Sequence, residues 1–170
     1  PVVEVIGPTV RSAMSITRNG RVGLIGTQTT IQSRVYDDLF SMRPEIALAA
    51  QACPRFVELV EAGRTSGPEV LRIAQEYLAP LAARDIDTLV LGCTHYPFLR
   101  GAISQVVGPD VALVSSDIET AGEVYRVLTA RGLLRDPSAG DPVLRYEATG
   151  PDTGKFVELA RRMLGIGIDS

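Results

Sequence analysis

Two short stretches of this sequence carry groups able to do chemistry at a turn. One is Gly92-Cys93-Thr94-His95-Tyr96-Pro97, where a thiol and an imidazole stand two residues apart just after an apolar run. Pro97 suits a first helical turn, which puts Cys93 just before a helix N-terminus. There the dipole favours the thiolate, and a protonated His95 favours it further. An ordinary thiol titrates at about 8.5, so such help decides whether Cys93 is reactive near neutral pH. The competing reading is a buried structural cysteine, the commoner fate of a lone thiol. The other stretch is Gly26-Thr27-Gln28-Thr29-Thr30, which is neither a Walker A loop nor G-x-G-x-x-G. Free backbone N–H groups and Thr hydroxyls there suit a small anion such as a carboxylate. The competing reading is a Thr that merely caps a helix.

Scarcities elsewhere exclude other mechanisms. The chain has one His, one Lys (Lys155), two Cys and no Trp, so 16 of its 17 basic residues are Arg. A metal site needing two His from one chain is ruled out. A metal shared by Cys53, Cys93 and His95 has no recognised ligand spacing. Cys53 precedes Pro54-Arg55-Phe56 with no polar group poised to activate it, and reads as structural. Lys155 falls beside the apolar stripe Phe156, Ala160, Met163 and Leu164 of a tail helix, which argues against a pyridoxal phosphate role. No G-x-S-x-G elbow presents a serine nucleophile. A net charge of −3 argues against a nucleic-acid partner. The longest apolar runs are strand-sized, so no membrane span is expected. With no signal peptide and no disulfide framework, a cytoplasmic location is expected.

The elements that must position these groups follow from periodicity. Within 170 residues the expected order is strand Val2–Ile6, helix from Pro8 to about Arg18, strand Arg21–Gly26 and helix Ile31–Met42. Next come strand Glu45–Cys53, helix Pro54–Gly63, and a helix to about Ala83 opened by a Ser66–Glu69 capping box. Strand Asp87–Gly92 is a continuous apolar run, as a central parallel strand covered on both faces should be. Helix Pro97–Val107, strand Val111–Val114 and helix Ser116–Ala130 complete a strand-helix alternation that points to an α/β parallel sheet. Beyond a Pro/Gly/Asp loop, a strand Val143–Ala148 and a helix Asp152–Leu164 form a tail too short for its own core.

Three segments, Leu89–Leu99 (LVLGCTHYPFL), Arg21–Ser33 (RVGLIGTQTTIQS) and Ala52–Gly63 (ACPRFVELVEAG), resemble the second half of bacterial glutamate racemase. The resemblance covers nearly the whole chain in the right order. Related aspartate racemases resemble it at Cys-Thr but usually lack the His. It implies a three-layer α/β fold with two similar domains facing each other across the substrate. It implies a cofactor-independent enzyme that interconverts L- and D-glutamate and supplies D-glutamate for peptidoglycan. Two cysteines, one per domain, work on opposite faces of the Cα carbon. A single base would tend to return the proton to the face it left.

Carried over by residue, the resemblance makes Cys93 one of the two catalytic cysteines, His95 its assistant and Glu61 the supporting acid. Thr27, Thr30 and Thr94 match hydroxyls that hold the substrate. Neither a metal nor a cofactor is implied. Residues 1–115 match the second domain, and residues 116–170 match a segment that returns to complete the first. The N-terminal half of that first domain, with its own cysteine, has no counterpart here, and Cys53 matches a non-catalytic position. The chain alone is therefore expected to be inactive. The expected partners are glutamate, the missing N-terminal half and a second copy in a homodimer. Two other readings stay open: a racemase of aspartate or a hydantoin, and a non-catalytic module that binds a dicarboxylate.

Overall fold

The computed structural model describes residues 1–147, 149 and 153–165, apart from the side chains of Thr153, Lys155, Leu159 and Leu164. The chain forms two compact units, Pro1–Gly132 and Leu133–Ser170. The first is built on four parallel strands, β1 (Arg21–Gly26), β2 (Ala47–Ala52), β3 (Thr88–Leu91) and β4 (Ala112–Ser115). Their order across the sheet is β2-β1-β3-β4. Seven helices accompany them: α1 (Ile6–Ile16), α2 (Gln28–Ser33), α3 (Val35–Phe40), α4 (Pro54–Glu61), α5 (Pro68–Ala82), α6 (Arg100–Val107) and α7 (Ser116–Ala130).

The two central strands read as unbroken apolar runs because both faces of the sheet are covered. On one face Val22 and Leu24 of β1, Val90 of β3 and Val114 of β4 meet Val10 and Ala13 of α1 and Tyr36 and Phe40 of α3. On the other, Leu81 of α5 and Leu89 of β3 crowd the bare backbone of Gly23, where a Cβ would stand 3.6 Å and 2.9 Å from their methyls. Every residue of β3 is buried. Such side chains contribute about 1.5–3 kcal/mol each, enough to fix the register that sets the strand ends. α7 packs against α1 within this unit.

Several sequence expectations change. Val2–Ile6 forms no strand. The Glu4 carboxylate accepts from the N–H groups of Ile6 and Gly7 at 2.7 and 2.8 Å and so starts α1 there. The helix expected over Ile31–Met42 begins earlier and breaks into α2 and α3 at Arg34, whose φ of 56° is left-handed. Ser66 does not cap α5. Gly67 holds the cap position, and Glu69 pairs instead with Arg64 at 2.6 Å. Pro97 falls in the first turn of a 3-10 helix, Tyr96–Leu99, before α6 starts at Arg100.

In the second unit Asp136 caps a 3-10 turn, Pro137–Ala139, and α8 spans Thr153–Leu164. The strand expected over Val143–Ala148 does not form at 143–147, and Ala148 lies outside the described residues. The expected setting of Lys155 and Leu164 concerns side chains that are likewise outside them. No described helix is long and apolar enough to cross a membrane.

Candidate active site at the carboxyl ends of the strands

In the order β2-β1-β3-β4 the chain leaves β1 for one side and crosses it to build the other. The sheet's topological switch point therefore lies between β1 and β3, where open α/β sheets bind ligands beyond the carboxyl ends. Both stretches singled out in the sequence sit there. Gly92 N–H donates to Ile25 O at 2.8 Å, and Cys53 N–H donates to Gly26 O at 2.9 Å. These bonds carry the ladder past the strands and hold three strand ends side by side. Gly92 is required at its place: a Cβ there would stand 2.9 Å from Ile25 O and 3.4 Å from the Tyr36 hydroxyl.

Cys93 follows, half-buried, with its Sγ 3.7 Å from Nδ1 of His95. His95 is the N-cap of the 3-10 turn, and its Nε2 lies 3.6 Å from Oε1 of Glu61 at the end of α4. A core of aromatic rings joins α4 to that turn. Phe56 meets Tyr77 and Tyr96 edge-on, each with ring centroids 5.3 Å apart, and the Tyr96 hydroxyl donates to Cys53 O at 2.9 Å. Thiol, imidazole and carboxylate thus stand in line, each held by a different link of sheet, turn or helix.

Burial pushes the Cys93 thiol up, and the backbone N–H groups of His95 and Tyr96 offset only part of that. The net direction is opposite to the sequence expectation. A four-residue 3-10 turn follows Cys93 in place of the α-helix whose dipole was to lower it. Cys53 is fully buried, its thiol faces Gln51 O at 3.7 Å, and desolvation pushes it up to about 12. All three agree with a structural cysteine.

At the end of β1, Thr27 is the N-cap of α2. Its Oγ1 accepts from Thr30 N–H at 3.2 Å and lies 2.9 Å from the Thr30 hydroxyl. Capping is thus real, and it also pairs two of the three expected substrate hydroxyls. Thr94 is exposed and makes no hydrogen bond to a described residue. Among the described residues no group of three or more His, Cys, Asp or Glu side chains could hold a metal ion. Sequence reasoning missed Tyr36. Beside Phe40 in a short helix it reads as core, yet its hydroxyl lies 3.4 Å from where a Cβ on Gly92, the residue before Cys93, would stand.

The family model described as Asp/Glu/hydantoin racemase matches residues 1–119, which include every residue of the candidate site. The chain belongs to this racemase family. It is 61% identical over 165 residues to the glutamate racemase of Acidothermus cellulolyticus, covering 97% of this chain and 62% of that protein. To the glutamate racemase of Leifsonia xyli it is 62% identical over 165 residues, covering 97% of this chain and 60% of that protein. The chain therefore spans about three-fifths of the length of these relatives.

The fold agrees. A glutamate racemase isoform from Bacillus anthracis superposes with a TM-score of 0.90 at 38% identity, covering 99% of this chain and 62% of that one. Glutamate racemase from Francisella tularensis, solved in complex with D-glutamate, superposes with a TM-score of 0.87 at 29% identity, again covering 99% and 62%. The α/β parallel sheet of the racemase family is thus the fold of this chain.

Proposed function

We propose that this chain is the Cys93-bearing part of a glutamate racemase that interconverts L- and D-glutamate without a cofactor, supplying D-glutamate for peptidoglycan. The observation that carries the reading is the line from Cys93 through His95 to Glu61, placed at the switch point beside the Thr27–Thr30 pair. Residues 1–115 are the second domain. Residues 116–170 complete the first, the rest of which, with the opposing cysteine, lies outside this sequence. The complete enzyme works in the cytoplasm as a homodimer.

The proposed chemistry uses this geometry. His95 Nδ1 accepts the Cys93 proton while Glu61 stabilises the imidazolium at Nε2, which offsets the burial that holds the thiol neutral. The thiolate then takes the α-proton from one face, and a thiol on the far face returns a proton there. Thr27, Thr30 and Thr94 hydroxyls hold the carboxylate and amino groups, so that Cα stands between the two sulfurs. In a protein completed to the length of its relatives, Cys93→Ser should cut glutamate racemisation at least about a thousandfold, since a hydroxyl near neutral pH is a poor base. Circular dichroism of D- and L-glutamate, with aspartate as the comparison substrate, reads the outcome. Undiminished turnover by the serine variant, or faster turnover of aspartate, would overturn the assignment.

A further inference from the structure

Tyr36 is 3% exposed, and its hydroxyl makes no hydrogen bond to any described residue. The only fully enclosed unpartnered side-chain oxygen or nitrogen among the described residues is Thr120 Oγ1, so the Tyr36 oxygen keeps an opening to solvent. That oxygen lies 3.4 Å from the point where a Cβ on Gly92 would stand, one residue before Cys93. The phenol is bonded to no described side chain or backbone group, so its O–H is free for an acceptor that forms beside it.

We propose that Tyr36 is a positioning residue for Cys93, its phenol O–H donating a hydrogen bond to the Cys93 thiolate when that anion forms. The assignment rests on the racemase reading for its purpose, but the hydrogen bond can be tested without turnover. In the neutral state the Cys93 sulfur turns to His95 and makes no bond with Tyr36. Once His95 holds the proton, an anionic sulfur has one protonated partner and needs a second. Tyr36 suits a donor that must never become a base: burial, the carboxylate of Glu4 and the Cys93 sulfur push it up to about 12. The ionisable groups facing Cys93 are then Tyr36 from α3, with Glu4 behind it, and His95 and Tyr96 on its own turn, with Glu61 of α4 behind His95. The break at Arg34 lets this happen, because it turns α3 so that Tyr36 enters the core beneath β3.

The test is the rate of iodoacetamide alkylation of the 170-residue chain as a function of pH, read by intact mass. The signal reports Cys93, since Cys53 is fully buried. Tyr36→Phe should raise the apparent Cys93 titration by about one unit, slowing alkylation near pH 7 about tenfold. Site-specific 3-fluorotyrosine at position 36, a more acidic phenol and stronger donor, should move it downward. A merely structural role cannot produce shifts of opposite sign. An unmoved titration in the phenylalanine variant overturns the proposal. If that variant fails to fold, the fluorotyrosine form decides alone, and an unmoved or raised titration there overturns it. Shifted titrations in a protein whose completed form does not racemise glutamate would sink the functional reading and leave the hydrogen bond standing.

Discussion

Burial drives any ionisable side chain toward its neutral form, and Cys93 and Asp87 show how the count of donors decides the result. Cys93, with two backbone N–H groups against its desolvation, is displaced upward. Asp87, at the opposite end of β3, is desolvated too, but four donors outweigh that and hold its carboxyl below the usual range. They are the Thr17 and Thr88 hydroxyls at 2.7 and 2.9 Å and the Arg18 and Asn19 N–H groups at 2.6 and 2.7 Å. A depressed carboxylate stabilises the fold above its unfolded value of about 3.9, and that share is lost as pH falls through the folded value. Asp87→Asn should therefore cost about 2–3 kcal/mol at neutral pH and flatten the loss of stability below about pH 4. Urea denaturation at several pH values measures both, and an unchanged acid slope would contradict the assignment. Sequence made Cys93 and His95 legible because a two-residue spacing at a strand end is local. Glu61 comes from another helix and was reached only through the family resemblance. Tyr36 carries no local signal at all, since burial and chemistry look alike in a tyrosine on the inward face of a helix.

Elements proved legible where their signal was self-contained. β1 and β3 are apolar runs, and α7 takes the bounds Ser116–Ala130 that the sequence implies. Failures occurred where a partner decides. Val2–Ile6 has strand composition, but Glu4 offers the backbone a helix start. Leu144–Glu147 alternates as a strand should, yet a strand needs a neighbour to satisfy its ladder, and Val143–Glu147 has none among the described residues. The close approach of Gly92 is likewise invisible until β1 and β3 are paired. Gly92→Ala should cost about 1–3 kcal/mol, because the new methyl meets Ile25 O and Leu24 Cδ1 at 2.9 Å and the carbonyl is fixed in the ladder. A urea midpoint equal to that of the parent chain would show that the strand ends are looser than this packing implies.

At the scale of the molecule, the strand order puts the two chemically distinctive turns on neighbouring strands. That juxtaposition is the reason a linear sequence yields a site. On the proposed reading, the same α/β frame gives Cys93 one helper line and one bank of hydroxyls, which would let a proton leave one face of a carbon. That reading calls for a second acid on the opposite face, and Cys53, fully buried with its carbonyl bonded by the Tyr96 hydroxyl, does not supply one. The measurement that tests this most directly is the fate of D-glutamate in D₂O with the 170-residue chain alone, followed by circular dichroism and by loss of the Cα proton signal. The two-cysteine account predicts no inversion by the chain alone, and inversion with deuterium at Cα once it is completed to the length of its relatives. Efficient inversion by the isolated chain would contradict it.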